Sequence, residues 1–261
     1  MTPTEAPLEV LREGAVATLR FARPAALNAI DVPMAHALLA AVQQLAADPG
    51  VRAVVLCGAG KAFMAGGDLA TLRADPVQGA ADLLGPLNAA VQLLAGLNAP
   101  VIAKVHGAAA GAGLSLMLQA DFVVAAEGTR FNLAYINLGT SCDVGASWAL
   151  PRLVGLRQAL EIALLGETLG SADALRLGLV NRVVPAAHLD EVAGELAARL
   201  AQGPTLAYGA MKRLMRASFE RNLETQLQAE TTAFLGCAAS ADLRAGIDAF
   251  FARQAPEFSG R

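Results

Sequence analysis

The sequence predicts an α/β fold followed by a helical C-terminal region. Three observations carry this. Apolar runs of strand length alternate with stretches of helical period from Leu8 to Val184. Val51–Cys57 is apolar almost throughout, as expected for a strand covered on both faces. From His188 onward every apolar pattern is helical, and Gly203-Pro204 is the best break. The expected division is therefore 1–202 as an α/β core and 203–261 as a helical, oligomerising tail.

The elements follow in order. Leu8–Arg12 and Ala15–Phe21 read as strands turning at Glu13-Gly14. Pro24 ends the second strand, so Arg23–Ala29 is a loop. Asp31 can cap a helix over Val32–Ala47, with Met34, Leu38, Val42 and Leu45 on one face. After the strand at Val51–Cys57 a helix starts near Asp68, and a longer one covers roughly Ala80–Gly96. Val101–Val105 and Phe122–Ala125 are strands around a helix at Gly113–Ala120. Helices are expected at Gly145–Leu153, Arg157–Leu165 and Ala172–Leu177, with Ser171 capping the third, before a last strand at Leu179–Val184. His188–Ala201, Pro204–Ser218, Asn222–Leu235 and Ala241–Arg253 complete the chain as helices. The tail carries Leu206, Met211, Leu214, Met215, Phe234, Phe250 and Phe251, more apolar surface than a free helical unit exposes, so it should bury against the core or another subunit.

Bulk properties exclude several function classes. Among 261 residues, 55% are hydrophobic and 16% charged, ample for a core and unlike a disordered chain. A net charge of −3 and few aromatics leave no footprint for nucleic acid. Cys57, Cys142 and Cys237 show no thiolate-metal spacing, and their odd number suits a reducing compartment. His36, His106 and His188 have no metal-ligand spacing, so no metal is expected. The N-terminal Met1–Pro7 lacks a signal-peptide pattern, and the longest nearly apolar stretch, Gly107–Leu118, is too short to span a bilayer. A soluble cytoplasmic protein without membrane partners is the expectation.

Ala62–Leu69, Ala-Phe-Met-Ala-Gly-Gly-Asp-Leu, is the most informative stretch. Paired glycines let the backbone turn and let a ligand approach without meeting a Cβ. Asp68 can cap the following helix, and an amide just before a helix is a free, dipole-assisted anion donor. A polarised carbonyl oxygen could sit against the N–H of Gly67. Gly111-Ala112-Gly113 repeats the arrangement before the next helix, with Ala112 as donor. Gly58-Ala59-Gly60-Lys61 is not a phosphate loop, because Val55 and Ala62 stand where Gly and Ser or Thr belong.

Lys61–Leu69 resembles the first signature of the crotonase family, the enoyl-CoA hydratases and isomerases. Val105–Asp121, Val-His-Gly-Ala-Ala-Ala-Gly-Ala-Gly-Leu-Ser-Leu-Met-Leu-Gln-Ala-Asp, resembles the second. The likeness runs from about Leu8 to the C-terminus. It implies a crotonase-like ββα spiral, a trimer or dimer of trimers built through the tail, and an acyl-CoA thioester substrate. CoA then arrives as part of the substrate, and no separate cofactor is implied. The resemblance makes Gly67 and Ala112 the two oxyanion donors. It has Arg23–Asn28 and Lys61–Ala70 line the CoA pocket, with Ala26, Ala65, Asp68, Leu69 and Ala70 as substrate contacts. Lys61, Arg73, Lys212 and Arg213 are candidate phosphate contacts, or simply solvated charges.

The same resemblance argues against ordinary hydration. A hydratase positions and activates water with two glutamates, and the matching positions here are Ser115 and Tyr135, which become substrate-contact candidates. Neither takes up a proton readily at neutral pH. Asn137–Trp148 resembles the isomerase branches, which carry an acid at the position of Asp143. One carboxylate suffices to move a double bond, and an apolar pocket raises its pKa usefully. Leu114, Tyr135, Leu138 and Trp148 could form that pocket. Alternatively, Asp143 caps the helix starting at Gly145. In the 4-chlorobenzoyl-CoA dehalogenase branch an Asp at this place is a nucleophile, but that branch also uses a histidine where this chain offers Gln92. Hydratase, dehalogenase or thioesterase chemistry and a non-catalytic CoA-ester binder remain the alternatives. Cys142 reads as a packed thiol, His106 as structural, and Ser115 as a ligand-orienting or backbone-bonding hydroxyl.

Overall fold

The computed structural model describes residues 6–73 and 75–261; the expectation for the N-terminal Met1–Pro7 lies mostly outside this range. A hairpin opens the chain, β1 (Leu8–Glu13) against β2 (Val16–Phe21), turning at Gly14-Ala15 one residue later than the letters suggest. After a short 3-10 turn at Pro24–Ala26, Asp31 caps α1 (Val32–Ala47), its carboxylate accepting Met34 N–H at 2.9 Å. The four residues proposed as its buried face are all buried. β3 (Ala53–Gly58), α2 (Leu69–Arg73) and α3 (Pro76–Gly96) follow. The last begins earlier than expected because Asp75 caps it and Pro76 fits its first turn.

β4 (Val101–Val105) leads almost directly into β5 (Ala108–Ala110), and α4 (Ala112–Met117) comes next. β6 (Phe122–Ala126) likewise runs into β7 (Arg130–Asn132). After a 3-10 turn at Tyr135–Leu138 come α5 (Ala146–Val154), α6 (Leu156–Leu165), β8 (Leu169–Gly170), α7 (Ser171–Arg176) and β9 (Arg182–Val184). Ser171 is the first residue of α7 rather than its cap: extended Gly170 holds the cap position, with no side chain to bond. α8 (Leu189–Ala201), α9 (Thr205–Ala217), α10 (Leu223–Ala238) and α11 (Ala241–Ala252) finish the chain.

The strands form two sheets. One has the order β1-β2-β3-β4-β6-β9, parallel from β2 onward. The other is β5-β7-β8. Twice the chain leaves the first sheet and enters the second within three residues, so each turn of the spiral contributes to both. β3 shows why its sequence is so apolar. Val54 and Leu56 enter the core shared with α1, α3 and α4, while Ala53 and Val55 face α8 on the opposite side.

α9 is tied to the core by charge. Asp121, the last residue of the second signature, accepts Val101 N–H at 2.8 Å and pairs with Lys212 at 2.6 Å and Arg216 at 2.8 Å. α10 and α11 leave Phe234, Phe250 and Phe251 exposed, at 68%, 77% and 79%. The core of this chain therefore does not cover them.

Candidate active site

The site begins where the two sheets meet. Met64 N–H donates to Ala108 C=O at 3.0 Å, and Ala110 N–H donates to Met64 C=O at 2.9 Å. These bonds lay the two signature segments side by side and parallel, with Met64 opposite Ala109. Three residues further along both segments stand Gly67 and Ala112. The register thus brings the two candidate donors to the same level. Ala112 opens α4, and Gly67 lies two residues before α2. Among the described residues neither N–H has a hydrogen-bond acceptor.

Small residues make this approach possible. A Cβ on Gly107 would lie 1.9 Å from Lys61 O, and one on Gly113 would lie 2.4 Å from Met64 O. Gly66 and Gly111 adopt φ +118° and +50°, where a side chain is strained. Gly67 differs from these, since a Cβ there would meet nothing within 4 Å. Its surroundings are open, as a ligand requires. The arrangement offers two adjacent, unspent N–H donors at helix starts, suited to an oxygen that gains negative charge.

A third segment closes the cluster. Ala65 N–H donates to Leu27 C=O at 3.0 Å, and Ile30 N–H donates to Gly66 C=O at 2.8 Å. Asn28, fully buried, fixes this loop: its Nδ2 donates to Ala59 and Ala62 carbonyls at 2.9 and 2.8 Å, and its Oδ1 accepts Arg23 N–H. Sequence reasoning placed the loop but missed this anchor. The Arg23 guanidinium bridges Asp31 at 3.1 Å and Asp68 at 3.0 Å. Asp68 also accepts Ala70 N–H at 3.1 Å, so its carboxylate caps α2 as expected and is engaged by the protein itself. Ala26 and Ala65 are half-buried beside this cluster, while Leu69 and Ala70 are exposed.

Asp143 lies at the end of a hydrogen-bonded chain. Tyr135 Oη donates to Asp143 Oδ1, and Ser115 Oγ is 2.9 Å from Tyr135 Oη. Ser115 Oγ also lies 3.2 Å from the Gly111 carbonyl oxygen, which accepts the Ser115 backbone N–H at 3.0 Å. Ser115 is fully buried, Tyr135 buried and Asp143 half-buried. Burial pushes the Asp143 carboxyl up, opposed by the Tyr135 hydroxyl and the residue's own backbone N–H. Burial and the Asp143 charge push the Tyr135 phenol up, so it remains a neutral donor. The capping alternative fails, because Gly145 holds the cap position of α5 and no side chain bonds there. The two non-glutamate positions and Asp143 thus meet in one network. Their common match to catalytic positions was the signal available in the sequence.

Strain concentrates here. Leu27, Asn28, Ala134 and Val144 have φ of 50°, 59°, 56° and 52° without being glycine. Two belong to the anchored loop, and the others flank Tyr135 and Asp143. Such conformations persist where surrounding bonds enforce them. Gln119 supplies one, donating to Val144 C=O at 3.3 Å.

Other expected participants fall elsewhere. Leu138 is 59% exposed, and Trp148 stacks under Arg152 at 4.2 Å, so the four residues proposed as one apolar pocket do not form a single wall. Trp148 instead borders two cavities, one of about 470 Å³ between α5 and α9 and one of about 700 Å³ between α3 and α9. Neither is lined by Gly67, Ala112 or Asp143. Lys212 is held by Asp121 and by the Leu97 and Ala99 carbonyls, and Arg213 donates to Asn98 Oδ1 at 2.8 Å. Lys61 and Arg73 are exposed. The His106 ring bonds Gly60 C=O at 2.9 Å, a structural link, and Cys142 packs against the core. Among the described residues no group of three His, Cys, Asp or Glu is arranged around a metal, and no helix is long and apolar enough to cross a membrane.

Comparison with known proteins gives the chain's family. The chain is 38% identical to the 1,2-epoxyphenylacetyl-CoA isomerase of Escherichia coli (strain K12), over 95% of this chain and 97% of that protein. It is 36% identical to the 2,3-dehydroadipyl-CoA hydratase of the same organism, over 97% and 99%. The crystal structure of an enoyl-CoA hydratase from Mycobacterium smegmatis superposes with a TM-score of 0.91 at 36% identity, over 97% of this chain and 99% of that one. The family model described as enoyl-CoA hydratase/isomerase matches residues 12–261. The chain therefore belongs to the enoyl-CoA hydratase/isomerase family, within the crotonase superfamily, and has the crotonase fold.

Proposed function

We propose that this family member is an enoyl-CoA isomerase. The observation that carries the reading is the single buried-side carboxylate, Asp143, in a network whose other members are the hydroxyls of Tyr135 and Ser115. Asp143 takes the C2 proton of a 3-enoyl-CoA. The C–H electron pair enters the thioester and gives a dienolate, whose oxygen receives the N–H groups of Gly67 and Ala112. Each such donor is worth about 2.7–4 kcal/mol in the transition state. The protonated Asp143 then returns the proton to C4, and the double bond ends between C2 and C3. No cofactor is needed, because CoA is part of the substrate. Ala26, Ala65, Leu69 and Ala70 would contact that substrate beside Gly67.

Similarity in sequence does not choose between isomerase and hydratase, since relatives of both names stand at 38% and 36% identity. Residue chemistry supports the isomerase reading: neither Ser115 nor Tyr135 supplies the carboxylate with which a hydratase activates water. The exposed phenylalanines of α10 and α11 support a homotrimer or dimer of trimers. The three free cysteines suit a reducing cytoplasm. Asp143→Asn is expected to lower turnover of a 3-enoyl-CoA by about 10²–10⁴-fold while acyl-CoA binding persists. Unchanged turnover would remove Asp143 from the mechanism.

A further inference from the structure

Tyr135 and Ser115 stand where the hydratase pattern has two glutamates, yet here they are joined end to end. Ser115 Oγ lies 2.9 Å from Tyr135 Oη, whose proton points at Asp143. Ser115 also sends its backbone N–H to Gly111 C=O at 3.0 Å, with Oγ 3.2 Å from the same oxygen. That carbonyl shares a peptide unit with the N–H of Ala112. We propose that Tyr135 is a positioning residue that fixes the Asp143 carboxylate and, through Ser115, ties it to the peptide whose N–H holds the thioester oxygen. This rests on the reading of Asp143 as the proton carrier.

The chain of bonds has only one sensible direction. Tyr135 has a single proton, and it is spent on the carboxylate. The phenolic oxygen is then free to accept the one Ser115 hydroxyl proton, so the bond from Ser115 to Gly111 C=O is the one made by its backbone N–H. A carbonyl that accepts hydrogen bonds polarises its own peptide, which makes the N–H on the other side a better donor. The link therefore couples the two halves of the site. Its members cannot easily drift, since Ser115 is fully buried and Tyr135 buried. Ala134 and Val144, each next to one end of the Tyr135–Asp143 bond, are held at positive φ, and Gln119 braces the Val144 carbonyl. Strain on both sides of one hydrogen bond is expected where that bond's geometry matters.

The link also sets when Asp143 is a base. The opposing influences on it are burial, the Tyr135 hydroxyl and its own backbone N–H, and no charged neighbour among the described residues contributes. Removing the Tyr135 hydroxyl removes a bond to the ionised form, so the carboxyl should titrate at higher pH.

The test follows kcat and KM against pH with 3-hexenoyl-CoA for the parent, Tyr135→Phe, Ser115→Ala, the double variant and Asp143→Asn, each checked for folding by thermal melting. Tyr135→Phe is expected to lower kcat by about 10–100-fold with KM nearly unchanged. The acid limb of its profile should move to higher pH. Ser115→Ala should show a smaller loss, and the double variant should be no worse than Tyr135→Phe, because the link is already cut. Should Tyr135→Phe fail to fold, Ser115→Ala carries the test through its kcat loss at unchanged KM. An unmoved acid limb, or strictly additive losses, overturns the inference while leaving Asp143 in place if Asp143→Asn is inactive. Parental turnover by Asp143→Asn, or a parent inert to 3-hexenoyl-CoA, overturns the isomerase reading and this one with it.

Discussion

Asp143 is held in surroundings that cost stability when it is ionised. Burial raises its folded pKa above the unfolded value. The penalty is absent below the unfolded pKa, grows as pH rises through the folded one, and is complete above it. Asp143→Asn should therefore melt no lower than the parent near neutrality, with any gain vanishing in acid; a clearly lower melting temperature at neutral pH would contradict the burial argument. Gly67 and Gly113 give a matched pair of tests. A Cβ at Gly67 enters open space, so Gly67→Ala should fold normally and lose turnover by intruding on the ligand. A Cβ at Gly113 would lie 2.4 Å from Met64 O, so Gly113→Ala should lose about 1–3 kcal/mol or more in denaturant titration. The free N–H groups of Gly67 and Ala112 were legible in the sequence because motif and helix-start physics coincide there. The bonds that join Asp143 to Tyr135 and Ser115 were not, since a common match to catalytic positions brings three residues near one another without saying which hydrogen bonds link them.

At the scale of elements, segments with a clear pattern read correctly and the strands of the second sheet did not. α1, α8 and the apolar strands β2 to β4 carry patterns longer than a turn, and their burial follows those patterns. β5, β7 and β8 have three, three and two residues, and β5 is three alanines. No periodicity exists at such lengths, so the second sheet was invisible even though it positions Ala112. The start of α3 was missed because Asp75-Pro76 reads as a break as easily as a cap. The anchoring of α9 was missed because its basic residues suggested phosphate. Asp121 instead holds Lys212, whose buried ammonium is disfavoured by desolvation and kept by that pairing. Asp121→Ala should cost about 3–5 kcal/mol, measured by denaturant unfolding, because Lys212 is left buried without its partner. A negligible change would mean that α9 docks by apolar contact alone.

Across the whole molecule, the two signatures act together because the spiral sends the chain from one sheet to the other beside each of them. Regions distant in sequence, near Asn28, Gly67, Ala112 and Asp143, thereby share one set of hydrogen bonds. Phe250 and Phe251 are exposed on α11, and changing both to Ser should reduce the native mass seen by light scattering if they seal a subunit contact. The most direct test of the account is proton NMR of the parent protein with 3-hexenoyl-CoA and with crotonyl-CoA in D₂O. The double bond is expected to migrate into conjugation in the first, and the second should not be hydrated. Hydration of crotonyl-CoA with 3-hexenoyl-CoA left untouched would contradict the isomerase reading.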